Sequence, residues 1–195
     1  MAKVQGIKEK LHLPLYDAFV VKEHVSVETT MKSQDPRMLR FFVDVQGKTK
    51  LETNLQASGV LPSMNTFEAR AMRVVVSPVV ADGCTNGDAS AAFLSDLIYN
   101  SVTSLLVGEK TMIEMPTFYF PAGAGVSSGS DGVSNHGSPD PMATFRFAEP
   151  VSIDRQQNFR VEMLFPQGVP TAMQTTEGPL RMWVVLDGYL TRDVQ

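Results

Sequence analysis

Apolar and polar residues alternate along several stretches of the chain, which is the pattern of β-strands with one buried face. The clearest stretches are Met38–Gln46, Phe159–Phe165 and Leu180–Leu190. Weaker alternation predicts five more strands, at 19–27, Lys50–Leu55, Thr66–Val80, Lys110–Phe120 and Ala143–Ala148. The residues predicted to face the core are Leu39, Phe41, Val43, Phe67, Phe159, Val161, Met163, Val184 and Leu186.

One segment has helical spacing instead. From Ser90 to Val107, apolar residues recur at intervals of three and four, and Gly108 follows as a stop signal. The pattern predicts a helix near 90–107 that lies against the sandwich with Phe93, Leu97 and Leu105 buried.

Eight short strands with one inserted helix predict an all-β fold, an antiparallel jelly-roll sandwich. We expect an N-terminal arm at 1–15 and a single domain at 16–195. The stretch Pro121–Pro141 holds five glycines, five serines and three prolines among its 21 residues. It is too poor in apolar residues to pack a core, so we expect a long surface loop without a catalytic role.

Charge is distributed unevenly along the chain. The 195 residues carry a net charge of −4, yet residues 1–50 alone have 9 basic and 6 acidic side chains. The overall balance excludes a globally basic nucleic-acid binder but leaves room for a local basic patch. Lys3, Lys8 and Lys10 precede the first periodic segment. They indicate either an ordinary solvated terminus or an arm that touches an anionic surface or a neighbouring subunit.

Catalytic motifs are sparse. Gly125-Val126-Ser127-Ser128-Gly129 matches the G-x-S-x-G of serine hydrolases, but no strand leads in, no helix follows, and the only later histidine is His136 in the same loop. His12 and His24 are isolated, and the lone Cys84 cannot build a zinc cluster. Asp131, Asn135, His136 and Asp140 could together bind a cation, but turn chemistry explains the Asp and Asn residues equally well and is the preferred interpretation. We therefore expect no catalytic residues, no metal, no cofactor and no small-molecule substrate.

Basic residues beside aromatic ones would suit nucleic-acid stacking, and Arg40-Phe41-Phe42 and Phe145-Arg146-Phe147 have this arrangement. The same pairs fit strands with phenylalanine inward and arginine outward. Phe42, Trp183 and Tyr189 are predicted on outward faces of their strands, where they would form a subunit interface. The alternative for Trp183 and Tyr189 is that they fill the second side of a central strand.

Two stretches resemble a known group of proteins. They are Thr53-Asn54-Leu55-Gln56-Ala57-Ser58-Gly59-Val60-Leu61-Pro62 and Trp183-Val184-Val185-Leu186-Asp187-Gly188-Tyr189-Leu190-Thr191-Arg192-Asp193-Val194-Gln195, the latter preceded by Phe159-Arg160-Val161-Glu162. Together they resemble jelly-roll coat proteins of tailless icosahedral bacteriophages of the single-jelly-roll type. The resemblance implies a virion structural protein rather than an enzyme.

On this reading the chain is a capsid subunit, assembled in the host cytoplasm. It would form homo-oligomeric capsomers, alone or with a second coat protein. The arm with Lys3, Lys8 and Lys10 would reach a neighbour, the viral membrane or the genome. The alternative is a receptor- or carbohydrate-binding jelly-roll module such as a spike or fibre head, and a hydrolase is the third choice.

Overall fold

The computed structural model describes residues 8–22, 24–32, 35, 37–62, 64–76, 87–122, 127–128, 134–135 and 142–193. In chain order the elements are β1 (Lys8–His12), β2 (Leu15–Val21), α1 (Val27–Lys32), β3 (Met38–Phe41), β4 (Asn65–Val76), α2 (Gly87–Tyr99), β5 (Val102–Val107), β6 (Lys110–Pro116), a 3-10 turn (Thr117–Tyr119), β7 (Ser127–Ser128), β8 (Ser134–Asn135), β9 (Arg146–Ile153), β10 (Phe159–Leu164), α3 (Thr171–Thr175) and β11 (Leu180–Asp193). The fold is all-β in character.

Two antiparallel sheets form a sandwich. The five-stranded sheet has the order β1-β11-β4-β9, with β2 also paired to β11, and the four-stranded sheet has the order β3-β10-β5-β6. Strands β1 and β2 follow one another along a single edge of β11, so they act as one interrupted strand. Their pairings are nested, because this first strand pairs with the last (β11), β3 with β10, β4 with β9 and β5 with β6.

The two short strands β7 and β8 form a separate ladder and do not belong to the sandwich. With β1 and β2 counted as one strand, successive strands of the sandwich run in opposite directions. The connections after β2, β4, β6 and β10 therefore leave from the same end of the sandwich, which we call the helical end. It carries the three α-helices found among the described residues, and α3 contacts both α1 and α2. The opposite end carries the long β3–β4 connection and the short turns at 108–109 and 154–158.

The core lies between the sheets and is one continuous cluster of buried side chains drawn from both of them. Eight of the nine predicted inward residues are buried, which confirms the period-two reading of these strands. The exception is Val43, which is 38% exposed. Strand β3 ends at Phe41, and Phe42 has a left-handed backbone (φ 68°) that stops the alternation.

The predicted helix at 90–107 is correct only in its first half. Helix α2 ends at Tyr99, and residues 102–107 form β5, hydrogen-bonded to β10 on one side and β6 on the other. Phe93 and Leu97 are buried as expected, and so is Leu105, but from a strand. Here Thr103, Leu105 and Val107 alternate inward. Two ladders of hydrogen bonds, which local spacing cannot show, stabilise the strand.

The predicted strand at 19–27 is also wrong in its second half. Strand β2 ends at Val21, and α1 begins at Val27. The side chain of Ser26 accepts a hydrogen bond from the Thr29 N–H (3.2 Å), which is an N-cap interaction, and Val27 and Met31 are buried one turn apart. The valine alternation concealed this helix start.

Four other predicted boundaries change. Residues 50–55 form turns with one isolated bridge, Asp17 to Thr53, instead of a strand. The strand expected at Ala143–Ala148 runs from Arg146 to Ile153, and the one at Lys110–Phe120 ends at Pro116. The strand expected at Thr66–Val80 runs over Asn65–Val76, and its residues 77–80 lie outside the described residues.

The expected N-terminal arm is a strand from residue 8 onwards. Residues 8–12 pair with 189–193 of β11, so Lys8 and Lys10 belong to the sheet, while residues 1–7 lie outside the described residues. Of the long loop expected at 121–141, the structure describes 121–122 and the short ladder between 127–128 and 134–135.

Candidate functional site

A cleft of about 730 Å³ opens on the outer face of the five-stranded sheet, where β4, β9 and β11 meet. We call it the arginine cleft. Its charged and aromatic lining comprises His12, Arg70, Arg73, Arg146, Asp187 and Tyr189, with Phe147 at the β9 side.

Irregular pairing of β4 shapes the cleft. The register of β4 shifts against β11 between Asp187 and Gly188, and against β9 between Ala69 and Ala71. Such bulges bend a strand and re-aim its side chains, and they are common beside binding sites. Gly188 is required there because a Cβ atom would overlap the carbonyl oxygen of Glu68.

Ion pairs hold two of the three arginines. Arg73 makes a two-pronged pair with Asp187 (2.9 and 3.1 Å), and Arg70 pairs with Glu68 (2.6 Å). Arg146 is exposed and has no ion pair within the described part of the chain. The lining therefore carries three guanidinium groups and one carboxylate.

Tyr189 lies at the side of the cleft next to β1, with two cationic side chains over its ring. The Lys10 ammonium and the Arg70 guanidinium each lie 4.8 Å from the centre of its ring, and the His12 ring centre is 5.4 Å away. Lys10 also pairs with Glu68 (3.0 Å). Hydrogen bonds from Lys10 and Arg70 hold the pKa of Glu68 below its ordinary value. We call Lys10, Glu68, Arg70 and Tyr189 the outer-face cluster.

A second charge cluster lies on the inner face of the same sheet. Asp17 of β2 is fully buried and accepts hydrogen bonds from the Phe42 N–H (2.7 Å) and the Lys48 ammonium (2.9 Å). Burial raises the pKa of Asp17, while Lys48, Phe42 and Thr53 oppose the shift. We call Asp17, Phe42, Lys48 and Thr53 the core carboxylate cluster. The sequence analysis missed it, because one aspartate in an apolar strand was its only signal.

The predicted interface residues have different positions in the structure. Phe42 is fully buried, with its ring centre 5.3 Å from that of Phe159, so its expected outward position is wrong. Trp183 does face outward and is half-buried, because the β3–β4 connection covers it and the Leu51 carbonyl accepts its indole N–H (2.9 Å). Tyr189 is half-buried in the outer-face cluster.

Two of the three predicted arm lysines, Lys8 and Lys10, lie on β1. Lys8 is exposed on β1 and Lys10 belongs to the outer-face cluster. Lys3 lies outside the described residues.

The structure describes few of the residues in the weak catalytic and cation-binding motifs. The backbone of Ser127 is described in β7, whereas Asp131, His136 and Asp140 lie outside the described residues. Among the residues that the structure does describe, no three His, Cys, Asp or Glu side chains are grouped so that they could hold a metal ion. No described helix is both long and apolar enough to cross a membrane.

Exposed aromatic rings form a strip at the helical end, a feature that sequence analysis did not predict. Tyr99 at the end of α2 lies 6.1 Å from Phe118, which stacks on Tyr119 at 4.8 Å. All three side chains are exposed.

No protein-family profile and no curated protein sequence matches this chain.

Proposed function

We propose that the sandwich is a jelly roll. The nested pairing supports this topology, because wrapping an antiparallel ribbon of eight strands into two facing sheets pairs the first strand with the last and the fourth with the fifth. The interrupted strand β1/β2, the orders of the two sheets and the grouping of four connections at the helical end are all consistent with such a ribbon.

The chain, on this proposal, is a virion structural protein: a capsid subunit that assembles laterally into capsomers. The observation that carries the proposal is the nested eight-strand pairing, since double-sheet jelly rolls recur in viral capsids. The two stretches that resemble phage coat proteins are also neighbours in space. Thr53 bridges to Asp17 of β2, and β2 pairs directly with residues 180–186 of β11.

Exposed apolar side chains supply contact surface for assembly. Leu164 of β10 and Met112 of β6 are exposed on the four-stranded sheet, and the aromatic strip is exposed at the helical end. In a monomer these side chains would face water, whereas in a capsomer they would be interface. Trp183 and Tyr189 already contact their own chain and contribute a smaller part of their surface.

Particle size tests the proposal. The purified full chain, examined by light scattering and electron microscopy, is expected to form closed symmetric rings or shells. Leu164→Lys should weaken assembly by placing a charge in the lateral contact. Asn158→Lys is the matched control, because it adds the same charge at an exposed polar position near the opposite end. A chain that stays monomeric at high concentration would contradict the capsid function.

Deletion of the N-terminus tests the arm. Removing residues 1–7, including Lys3, leaves β1 whole, whereas removing 1–10 also takes three of the five residues of β1. We expect the shorter deletion to weaken assembly with unchanged thermal unfolding. Equal assembly with and without residues 1–7 would contradict a role for the arm in contacts with a neighbour, a membrane or the genome.

The arginine cleft favours a binding module as the second candidate function, because its volume is in the range of small-molecule sites. A monomeric chain that binds receptors or glycans on an array would support this candidate over the capsid subunit.

A further inference from the structure

We propose that the arginine cleft binds a phosphate-bearing ligand, with Arg146 as the principal contact. The proposal goes beyond assembly and does not depend on it. Its first support is charge, because three guanidinium groups and one carboxylate line a concave site in a chain whose net charge is −4. Arg70 and Arg73 are paired with Glu68 and Asp187, so of the described arginines in the cleft Arg146 supplies the unpaired positive charge, and that charge attracts an anion.

The second support is the supply of hydrogen-bond donors. A guanidinium group carries five N–H donors. Arg70 donates a hydrogen bond from Nε to Glu68 (2.7 Å), and Arg73 donates one from a terminal nitrogen to Asp187 (3.1 Å). A second nitrogen of each guanidinium lies close to the same carboxylate, at 2.6 Å for Arg70 and 2.9 Å for Arg73. Each therefore keeps donors that these carboxylates do not use, and Arg146 has no ion pair among the described residues. Planar guanidinium groups bind phosphate oxygens in pairs, which makes arginine the preferred residue for such ligands.

The third support is the backbone that brings these arginines together. Arg146 of β9 pairs in register with Ala71 of β4, which lies between Arg70 and Arg73 in sequence. Neighbouring strands are roughly 4.8 Å apart, so all three side chains arise within a short span of two strands. The register shifts on both edges of β4 occur at this span, and Gly188 permits one of them.

The size of the cleft indicates more than a free ion. About 730 Å³ exceeds the space that a phosphate group needs, and Tyr189 and Phe147 add aromatic surface to the lining. A phosphate ester with a nucleoside-sized body fits this combination. The phosphate could come from a free nucleotide or from the backbone of a single-stranded nucleic acid, and both present the same group to Arg146.

Calorimetric titration of the full chain tests the proposal with four probes: inorganic phosphate, adenosine monophosphate, a short single-stranded oligonucleotide and acetate. We expect the phosphate-bearing probes to bind and acetate to bind far more weakly. Arg146→Gln should weaken phosphate binding by about tenfold or more, since it removes hydrogen bonds in which the donor is charged. Arg40→Gln is the matched control, because Arg40 is also exposed and lies on the other sheet.

Thermal unfolding of both variants separates binding from folding, and we expect it to stay unchanged because both side chains are exposed. Tighter binding of the oligonucleotide than of the mononucleotide would support the proposal and identify a polynucleotide as the source; equal binding would support it with a free nucleotide. Three results would overturn it: no binding of any phosphate probe, acetate binding as tightly as phosphate, or equal effects of Arg146→Gln and Arg40→Gln.

Discussion

The five-stranded sheet has a charge cluster on each face, and the two clusters differ in their access to water. In the core carboxylate cluster the Asp17 side chain is 0% exposed and the Lys48 side chain 16%. In the outer-face cluster, Lys10 and Glu68 are 49% and 31% exposed. The distances are nearly the same, 2.9 Å against 3.0 Å. Equal geometry therefore does not imply equal energy, because desolvation differs.

The core carboxylate cluster has a structural role. Asp17 binds the N–H of Phe42 where the backbone takes its left-handed turn, and the Phe42 carbonyl accepts the N–H of Gly59 (2.6 Å). This arrangement ends β3 and directs the Phe42 ring against Phe159. The outer-face cluster lies on the opposite face of the sheet, and its Lys10 and Glu68 side chains are partly exposed to solvent. Water can replace its contacts, so its groups remain available to a ligand.

The largest effect is expected from Asp17→Ala. It removes the acceptor of a buried N–H and leaves the Lys48 ammonium unpaired in a mostly buried position. Breaking a buried pair in this way costs about 3–5 kcal/mol. We expect urea unfolding to show a loss of that size in the free energy of unfolding.

Glu68→Ala is the matched comparison on the outer face and should cost less than about 1 kcal/mol, as exposed ion pairs do. Similar losses for Asp17→Ala and Glu68→Ala would contradict the distinction between the two clusters.

Gly188→Ala is expected to have an intermediate effect. The new Cβ would overlap the Glu68 carbonyl oxygen and come within 2.8 Å of the Phe67 ring. Overpacking of this kind costs about 1–3 kcal/mol, and here it would also displace the backbone beneath the arginine cleft. Thermal unfolding should show the loss. Gly168→Ala is the control, because the new Cβ atom would have no other atom within 4 Å. Gly178→Ala is unsuitable, because its Cβ atom would also overlap backbone atoms.

The Gly188→Ala and Gly168→Ala variants test different costs of adding a side chain. Gly168 has φ 90°, so its replacement measures the cost of a left-handed backbone alone, whereas Gly188 measures crowding. Phosphate binding that is weakened by Gly188→Ala and unchanged by Gly168→Ala would connect the β-bulge to the cleft. The reverse result would argue against that connection.

The smallest effect, and the sharpest comparison, is the pH dependence of stability. Burial raises the pKa of Asp17 above 3.8, so the Asp17 carboxyl group binds its proton more tightly in the folded chain than in the unfolded chain. The contribution that this pKa shift makes to the free energy of unfolding is full below pH 3.8 and decreases as the pH rises through the folded-state pKa. The pKa of Glu68 is lowered below 4.5, so its contribution is present above pH 4.5 and decreases as pH falls.

Unfolding free energies measured against pH for wild type, Asp17→Asn and Glu68→Gln test these signs. The wild-type curve minus the Asp17→Asn curve should fall with rising pH, and the wild-type curve minus the Glu68→Gln curve should rise. Slopes of the same sign in the two difference curves would contradict the opposite pKa shifts of Asp17 and Glu68.

Sequence patterns identified the strands whose alternation coincides with burial on one face. Phe159–Leu164 and Leu180–Asp193 have this property, because they lie in the middle of their sheets with one side toward the core. The arginine cleft was not predictable in the same way. Its charged and aromatic residues come from four strands, and the register shifts that place Arg146 beside Arg70 and Arg73 depend on pairing between strands distant in sequence.

The sequence by itself determined the β character of the chain, most of its core and the buried face of α2, since these follow from the periodic spacing of apolar residues. Only the tertiary structure decided the rest. Residues 102–107 became a strand because β10 and β6 supply hydrogen-bond partners on both sides. Phe42 turned inward because Asp17, 25 residues away, binds its N–H. Both outcomes depend on partners that are distant along the chain, and no local pattern of side chains encodes where such partners will lie.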